Sequence, residues 1–166
     1  MAFPRSMPAY TSPQIMTPLP ARYGGFWIRF VAFIIDLIVV QIVVLPVSFV
    51  ILAMAGLAGR LSGDLAFRGL WTLGLAARAL FGGLVNWIYE AGMESTSRQA
   101  TLGKMALGMK VTDIWGKRIS FARATGRHFA KYLSGAILMI GYIMAGFTAR
   151  KQALHDILAE TLVPRT

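Results

Sequence analysis

An apolar segment from residue 26 to about residue 55 constrains the fold of this chain more than any other feature. About 30 residues of helix extend about 45 Å, whereas the hydrocarbon core of a bilayer is about 30 Å thick. In the whole chain of 166 residues 56% are hydrophobic and 14% are charged, compared with roughly 25% charged residues in soluble domains. The sequence therefore predicts an integral membrane protein.

Two further apolar segments follow, at residues 70–89 and 132–148. The earlier one contains Arg78 near its middle and ends in Trp87 and Tyr89, and such aromatic residues are typical of membrane interfaces. The later one contains no charged residue. We therefore predict an all-α membrane protein with three transmembrane helices.

The last apolar stretch has a second interpretation as a re-entrant element. Residues 121–134 and 136–148 would then be two shorter helices hinged near Gly135. With three full spans, nine Lys and Arg residues lie on the side of the N-terminus and five on the other side, whereas the re-entrant arrangement gives twelve and two. Both counts predict a cytoplasmic N-terminus, but they leave open the side on which Asp156 and the C-terminus lie.

The polar segments also carry information. Residues 1–22 include five prolines and no long apolar run, which predicts a disordered cytoplasmic tail and not a signal peptide. In the basic loop of residues 92–128, residues 109–113 and 118–120 flank a turn at Gly116, a pattern that predicts a small β-hairpin-like insert. Ser120 is positioned to cap the helix that follows.

The net charge of +10 would suggest nucleic-acid binding in a soluble protein. Beside apolar segments, however, basic residues are typical of the positive-inside bias. We therefore expect the basic loop to bind anionic lipid headgroups or a partner protein, and we expect no nucleic-acid partner.

Charged residues inside the first apolar segment suggest a site. Arg29 and Asp36 are seven residues apart, so they share a helix face within about 20° and lie roughly 10 Å apart along the axis. An ionised carboxylate ten residues into the segment costs about 2.5 to 3.5 kcal/mol. We therefore expect Asp36 to be protonated, to face a wet cavity, or to pair with Arg29, Arg78 or Arg127. A structural pair and a carboxylate that binds protons or cations both fit this pattern.

Several other chemistries are excluded by the sequence. The pair Gly103-Lys104 is not a phosphate loop, because Arg98 and Met105 stand where that motif requires Gly and Ser or Thr. His155 and Asp156 lack further metal ligands, since His128 is the only other histidine and the chain has no cysteine. A Gly-x-Ser-x-Gly nucleophile motif is also absent. We expect neither an enzyme nor a bound cofactor or metal.

The order of several short motifs resembles the RDD family of small membrane proteins. These motifs are Arg29 with Asp36, Thr101-Leu102-Gly103-Lys104, Leu107-Gly108-Met109-Lys110-Val111, Gly116, Arg127 and His155-Asp156. The resemblance covers about residues 23–163 and implies that Arg29, Asp36 and Asp156 are the arginine and two aspartates that give the family its name. The chain departs from the usual pattern at residues 97–101, where a serine-glycine pair more typically precedes the threonine.

Two functions follow as hypotheses. The resemblance implies a bacterial inner-membrane protein, and some members of the family are thought to exchange monovalent cations for protons. In that hypothesis Asp36 binds the proton or cation, Arg29 or Arg127 sets its proton affinity, and Asp156 lies at the mouth of the path. Three helices are too few to enclose such a path, so the protein would form a homo-oligomer. The supporting residues are Arg127, His155, Arg78, Gly103 and Lys104. The alternative is a membrane scaffold or assembly factor that does not transport.

Overall fold

The computed structural model describes residues 22–137 and 140–165, so the predicted tail lies outside the described residues except for Arg22. The described residues are mostly helical, with one small antiparallel strand pair. The helices are α1 (Phe26–Ser62), α2 (Asp64–Ser95), α3 (Leu102–Ala106), α4 (Phe121–Ala136), α5 (Ile140–Phe147) and α6 (Leu154–Leu158). The strands are β1 (Thr112–Asp113) and β2 (Thr161–Leu162).

Helices α1 and α2 form a long antiparallel hairpin. They are separated by Gly63 alone, whose φ of +86° suits glycine. Close packing depends on small residues, because a Cβ atom added at Gly74 would lie 2.8 Å from the Cβ of Ala55. Only 17% of the most apolar window of α1 is buried within the chain. The uncovered apolar surface of this helix therefore requires lipid or another apolar partner.

Within the described ranges, α1 is the one helix that is long and apolar enough to cross a membrane by itself. Helices α4 and α5 meet this criterion only as a pair, and they are bent by 101° relative to each other. The single segment predicted over residues 132–148 is divided in the structure between the end of α4 and α5, so three transmembrane helices are not confirmed. Gly141 on α5 packs against Ser134 on α4, where an added Cβ would lie 2.8 Å from the Ser134 Cα. A bend of this size is compatible with a broken span and with the re-entrant interpretation.

The short strands pair across a long sequence separation. Thr112 lies opposite Leu162, and Asp113 lies opposite Thr161. The predicted turn is present, since the Asp113 amide donates to the Lys117 carbonyl at 2.9 Å. The predicted partner of the strand is wrong, because residues 118–120 lead into α4 and the C-terminal segment takes their place. The capping role of Ser120 is confirmed, since its Oγ accepts from the Arg123 amide at 3.2 Å.

Backbone hydrogen bonds bring the start of α1 and the C-terminal segment to the same end of the molecule. The Arg165 amide donates to the Arg22 carbonyl at 2.7 Å, and the Gly24 amide donates to the Val163 carbonyl at 2.9 Å. A buried hydrophobic cluster includes Met109 and Val111 from the loop before β1 and Val163 from the C-terminal segment. The arrangement with three full spans, which places the C-terminus across the bilayer from the start of α1, does not agree with these contacts.

Labelling of single cysteines tests this arrangement, because the natural chain contains no cysteine. In sealed vesicles a membrane-impermeant maleimide should modify Lys110→Cys and Arg165→Cys from one side, and Arg60→Cys from the opposite side. Modification of Arg165→Cys from the same side as Arg60→Cys would overturn the fold described above.

Candidate functional site

Asp156 lies at the centre of a buried cluster of charges. Its carboxylate accepts from Arg127, with Oδ1 at 2.9 Å from Nε and 2.8 Å from Nη2, and it also pairs with Arg29 through Oδ2. The Ala153 amide donates to Oδ2 at 3.1 Å. The Asp156 side chain is fully buried. One carboxylate therefore connects α1, α4 and α6.

A second buried carboxylate extends the cluster to α2 and α3. The Nη1 of Arg127 lies 2.6 Å from Oε1 and 2.8 Å from Oε2 of Glu94, and Lys104 also pairs with Glu94. The Lys104 Nζ lies 3.5 Å from Oε1 of Glu90. Glu90 in turn pairs with Lys131, and its Oε2 lies 2.8 Å from Nδ1 of His128.

Cations and carboxylates alternate along this cluster, which we call the ion-pair network. Its members in order are Arg29, Asp156, Arg127, Glu94, Lys104, Glu90 and Lys131. Alternation matters because buried charges are tolerated where each is paired and hydrogen-bonded. Each of the three carboxylates in the network contacts two cationic side chains.

Asp36 is held differently from the predicted pair with Arg29, Arg78 or Arg127. Its carboxylate accepts from Tyr89 Oη at 2.7 Å, Thr101 Oγ1 at 2.6 Å and the Gly103 amide at 2.7 Å. These bonds fasten the start of α3 to α1. Only glycine fits at residue 103, because an added Cβ would lie 2.2 Å from the Ala32 carbonyl oxygen.

Arg29 connects the start of α1 to the segment before α6. Its Nε donates to the Gly24 carbonyl at 2.7 Å, and its Nη2 donates to the Lys151 carbonyl at 2.7 Å. The third nitrogen, Nη1, pairs with the Asp156 carboxylate. A planar guanidinium with several donors suits three acceptors at once, so lysine would not replace this residue.

Burial and pairing set the ionisation of the polar groups around α3 and α6. Burial alone would raise the pKa of Asp156, but Arg127 and Arg29 outweigh burial and hold that pKa well below its ordinary value. Burial lowers the pKa of Lys104, and Glu94 opposes that shift. Burial also lowers the pKa of His155 to about 2, against the opposing effect of Asp156. Near neutral pH, Asp156 is therefore ionised and His155 is uncharged.

The structure brings most of the predicted site residues together but not all of them. Arg29, Arg127, Lys104 and Asp156 join the ion-pair network, while Gly103 binds Asp36. His155 lies beside this group, with Nδ1 at 3.3 Å from Ser134 Oγ. Arg78 lies apart, in the middle of the α1–α2 hairpin.

Sequence reasoning missed Glu90, Glu94, Lys131 and Tyr89. A signal for the two glutamates was present, because they are four residues apart and so share a face near the end of α2. With only seven acidic residues in the chain, two on one face beside a basic loop indicate buried ion pairs.

The carboxylates of this site connect helices to one another, and hydrogen bonds within the chain occupy most of their acceptor positions. Asp36 and Asp156 each accept from three or more donors within the chain. Among residues 22–137 and 140–165, no three His, Asp or Glu side chains are grouped as metal ligands.

The fold combines a long helical hairpin, whose first helix is apolar enough to span a membrane, with an arginine–aspartate network at one end. The RDD family model matches residues 23–160 of this chain. The chain belongs to the RDD family, which confirms the resemblance seen in its motifs.

Two relatives come from Bacillus subtilis (strain 168). The chain is 35% identical over 145 residues to a protein named "Uncharacterized protein YxaI", covering 84% of this chain and 95% of the relative. It is 31% identical over 162 residues to "Uncharacterized membrane protein YteJ", covering 91% and 86% respectively. No solved structure matches the chain. The family and this membrane relative support the conclusion that the chain is a membrane protein.

Neutralising Asp156 should destabilise the fold. In Asp156→Asn, Arg29 and Arg127 lose their shared counter-charge, and removal of one member of a buried ion pair costs about 3 to 5 kcal/mol. Asp113→Asn is a matched control, because that aspartate accepts only from backbone amides in an exposed turn. The free energy of unfolding in detergent micelles is measured for both variants. Equal stability of the two variants would show that Asp156 does not hold the fold.

The stability of the fold should decrease as the pH falls below about 6.5, through His155. In the unfolded chain this histidine takes up a proton near its ordinary pKa of 6.5, whereas in the folded chain its pKa is about 2. Protonation therefore favours the unfolded state, by about 1.4 kcal/mol between about pH 7.5 and about pH 5.5. His155→Gln should lose this part of the pH dependence in unfolding titrations. An unchanged pH dependence in that variant would contradict the assignment.

Proposed function

We propose that this RDD-family protein is a membrane scaffold whose basic face binds anionic phospholipid headgroups. The observation that carries the proposal is the distribution of exposed charge in the described ranges. Eight exposed Lys and Arg residues lie at the end that holds the ion-pair network, and two lie at the opposite end, Arg60 and Arg68. The eight are Arg22, Arg98, Lys110, Lys117, Arg118, Arg123, Arg150 and Arg165.

The ion-pair network supports this proposal because it removes acidic groups from the surface. Glu90, Glu94 and Asp156 are buried, and their charges are balanced inside the fold. Glu160 is exposed at the same end, and its Oε2 lies 3.8 Å from the Arg123 guanidinium. We call the exposed basic residues of this end the basic face. Lys and Arg near an anionic membrane surface contribute about 1 kcal/mol each.

The same charge distribution favours an orientation. Lys and Arg residues near the ends of membrane helices accumulate on the cytoplasmic side. We therefore infer that the basic face and the start of α1 lie on the cytoplasmic side of the bacterial inner membrane. That leaflet would supply the anionic headgroups, and a partner protein held at the same surface would bind beside them.

Cation/proton exchange by a homo-oligomer is the competing function. It requires Asp36 or Asp156 to release its present partners and accept a proton or a monovalent cation. Both carboxylates already accept several hydrogen bonds, and Asp36 also fastens α3. These contacts favour a structural role for both aspartates, and so they favour the scaffold.

Lipid retention tests the scaffold function. Purified protein in maltoside micelles, titrated with phosphatidylglycerol or phosphatidylcholine, should retain phosphatidylglycerol preferentially when observed by native mass spectrometry. The double variant Lys117→Gln/Arg118→Gln should bind phosphatidylglycerol about 30-fold more weakly, at about 1 kcal/mol for each residue. The preference should also weaken as the salt concentration rises.

The matched control removes two exposed cations from the opposite end. Arg60→Gln/Arg68→Gln should leave the preference for phosphatidylglycerol unchanged. An equal loss of the preference for phosphatidylglycerol in the two double variants would contradict binding at the basic face. Proton-coupled sodium, potassium or lithium flux in proteoliposomes that disappears in well-folded Asp36→Asn would establish exchange in place of the scaffold.

A further inference from the structure

One charged residue lies in the middle of the α1–α2 hairpin, far from the basic face. Helix α1 has no charged residue between Asp36 and Arg60, and in α2 the segment between Arg68 and Glu90 contains only Arg78. Ionisable side chains inside the membrane are rare, and they generally mark a ligand or a partner.

The packing of the hairpin places Ser48 at the same level as Arg78. An added Cβ at Gly82 would lie 3.5 Å from Val44, and one at Gly74 would lie 3.6 Å from Leu52. Arg78 is midway between the two glycines at helical spacing, and Ser48 is midway between Val44 and Leu52. The two side chains therefore belong to facing positions of α1 and α2.

Both polar groups are without a partner in the described part of the chain. Ser48 is 3% exposed, and its Oγ makes no hydrogen bond. Arg78 is half-buried, and no hydrogen bond or ion pair to it is found among residues 22–137 and 140–165. A hydroxyl and a guanidinium can both donate hydrogen bonds, so together they lack an acceptor.

The chain provides no carboxylate for this position. All seven acidic residues belong to the described ranges. They are Asp36, Asp64, Glu90, Glu94, Asp113, Asp156 and Glu160. On α2, Asp64 is 14 residues and Glu90 is 12 residues from Arg78, which corresponds to about 21 Å and about 18 Å of helix. No carboxylate of the chain therefore serves as a counter-charge for Arg78, so a counter-charge at this level would be an anion from outside the chain.

We propose that Arg78 and Ser48 form a binding site for an anionic group in the middle of the α1–α2 hairpin. The ligand is a halide or an oxyanion that accepts from the guanidinium and from the Ser48 hydroxyl. Its source is either a small soluble anion or the phosphate of a phospholipid. This site is separate from the basic face and does not depend on the scaffold function.

Thermal unfolding of the full chain in maltoside micelles, which contain no phosphate, tests the site. Sodium chloride or sodium nitrate replaces sodium gluconate at constant ionic strength in one arm, and phosphatidylglycerol is added in the other. A ligand that binds only the folded state raises the unfolding midpoint once its concentration exceeds its dissociation constant, and the midpoint then rises with the logarithm of the concentration. The effective affinity should fall roughly tenfold in Ser48→Ala, which removes one hydrogen bond to a charged group, and binding should disappear in Arg78→Gln.

Arg68→Gln is the matched control, because it removes one exposed cation from the same helix nearer its end. It should keep the full response in both arms, and Lys117→Gln/Arg118→Gln on the basic face should keep the full response to chloride or nitrate. A response to chloride or nitrate that is lost in Arg78→Gln identifies a soluble anion. A response to phosphatidylglycerol alone that is lost in Arg78→Gln but kept in Lys117→Gln/Arg118→Gln identifies a lipid phosphate at this site. The proposal fails if the wild type responds to neither, or if Arg78→Gln and Ser48→Ala respond like the wild type.

Discussion

The carboxylate of Asp156, shared between Arg29 and Arg127, is the interaction on which the rest of the structure depends. It joins the start of α1 to α4 and to the C-terminal segment. Arg127 also pairs with Glu94, which connects α2 to the same network. Buried charges of this kind contribute little net stability compared with apolar side chains, but the loss of one partner is severe. We therefore expect the network to specify one arrangement of the helices at this end more than it adds to their stability.

Burial of the acids has a second consequence, at the surface. The chain has 17 basic and 7 acidic residues, and the network and the contacts of Asp36 place four of the acids inside or partly inside the fold. The exposed surface at that end is consequently more basic than the composition alone implies. The opposite end of the hairpin is less basic, because it is mostly apolar and carries two exposed arginines.

The sequence predicts most of the local elements correctly, but it does not predict which side chains they contact in the fold. The hydrophobic segments, the turn at Gly116 and the cap at Ser120 follow from local patterns, and local patterns are readable because their causes lie within a few residues. The seven-residue spacing of Arg29 and Asp36 indicated a pair, yet Asp36 binds Tyr89, Thr101 and Gly103 instead. Helical spacing shows which side chains share a face, and it does not show which element packs against that face.

The sequence by itself determined the membrane character of the chain, its resemblance to the RDD family, and the presence of Arg29, Asp36 and Asp156 in that family's motif pattern. Only the tertiary structure decided that Arg29 meets Asp156, 127 residues away, and that β1 pairs with β2. The reason is that both contacts join segments far apart in the sequence, and the direction in which α5 leaves α4 helps to decide whether those segments meet. The close approach of Gly141 to Ser134 belongs to that bend, and hydropathy alone does not distinguish a bent pair of helices from one straight span.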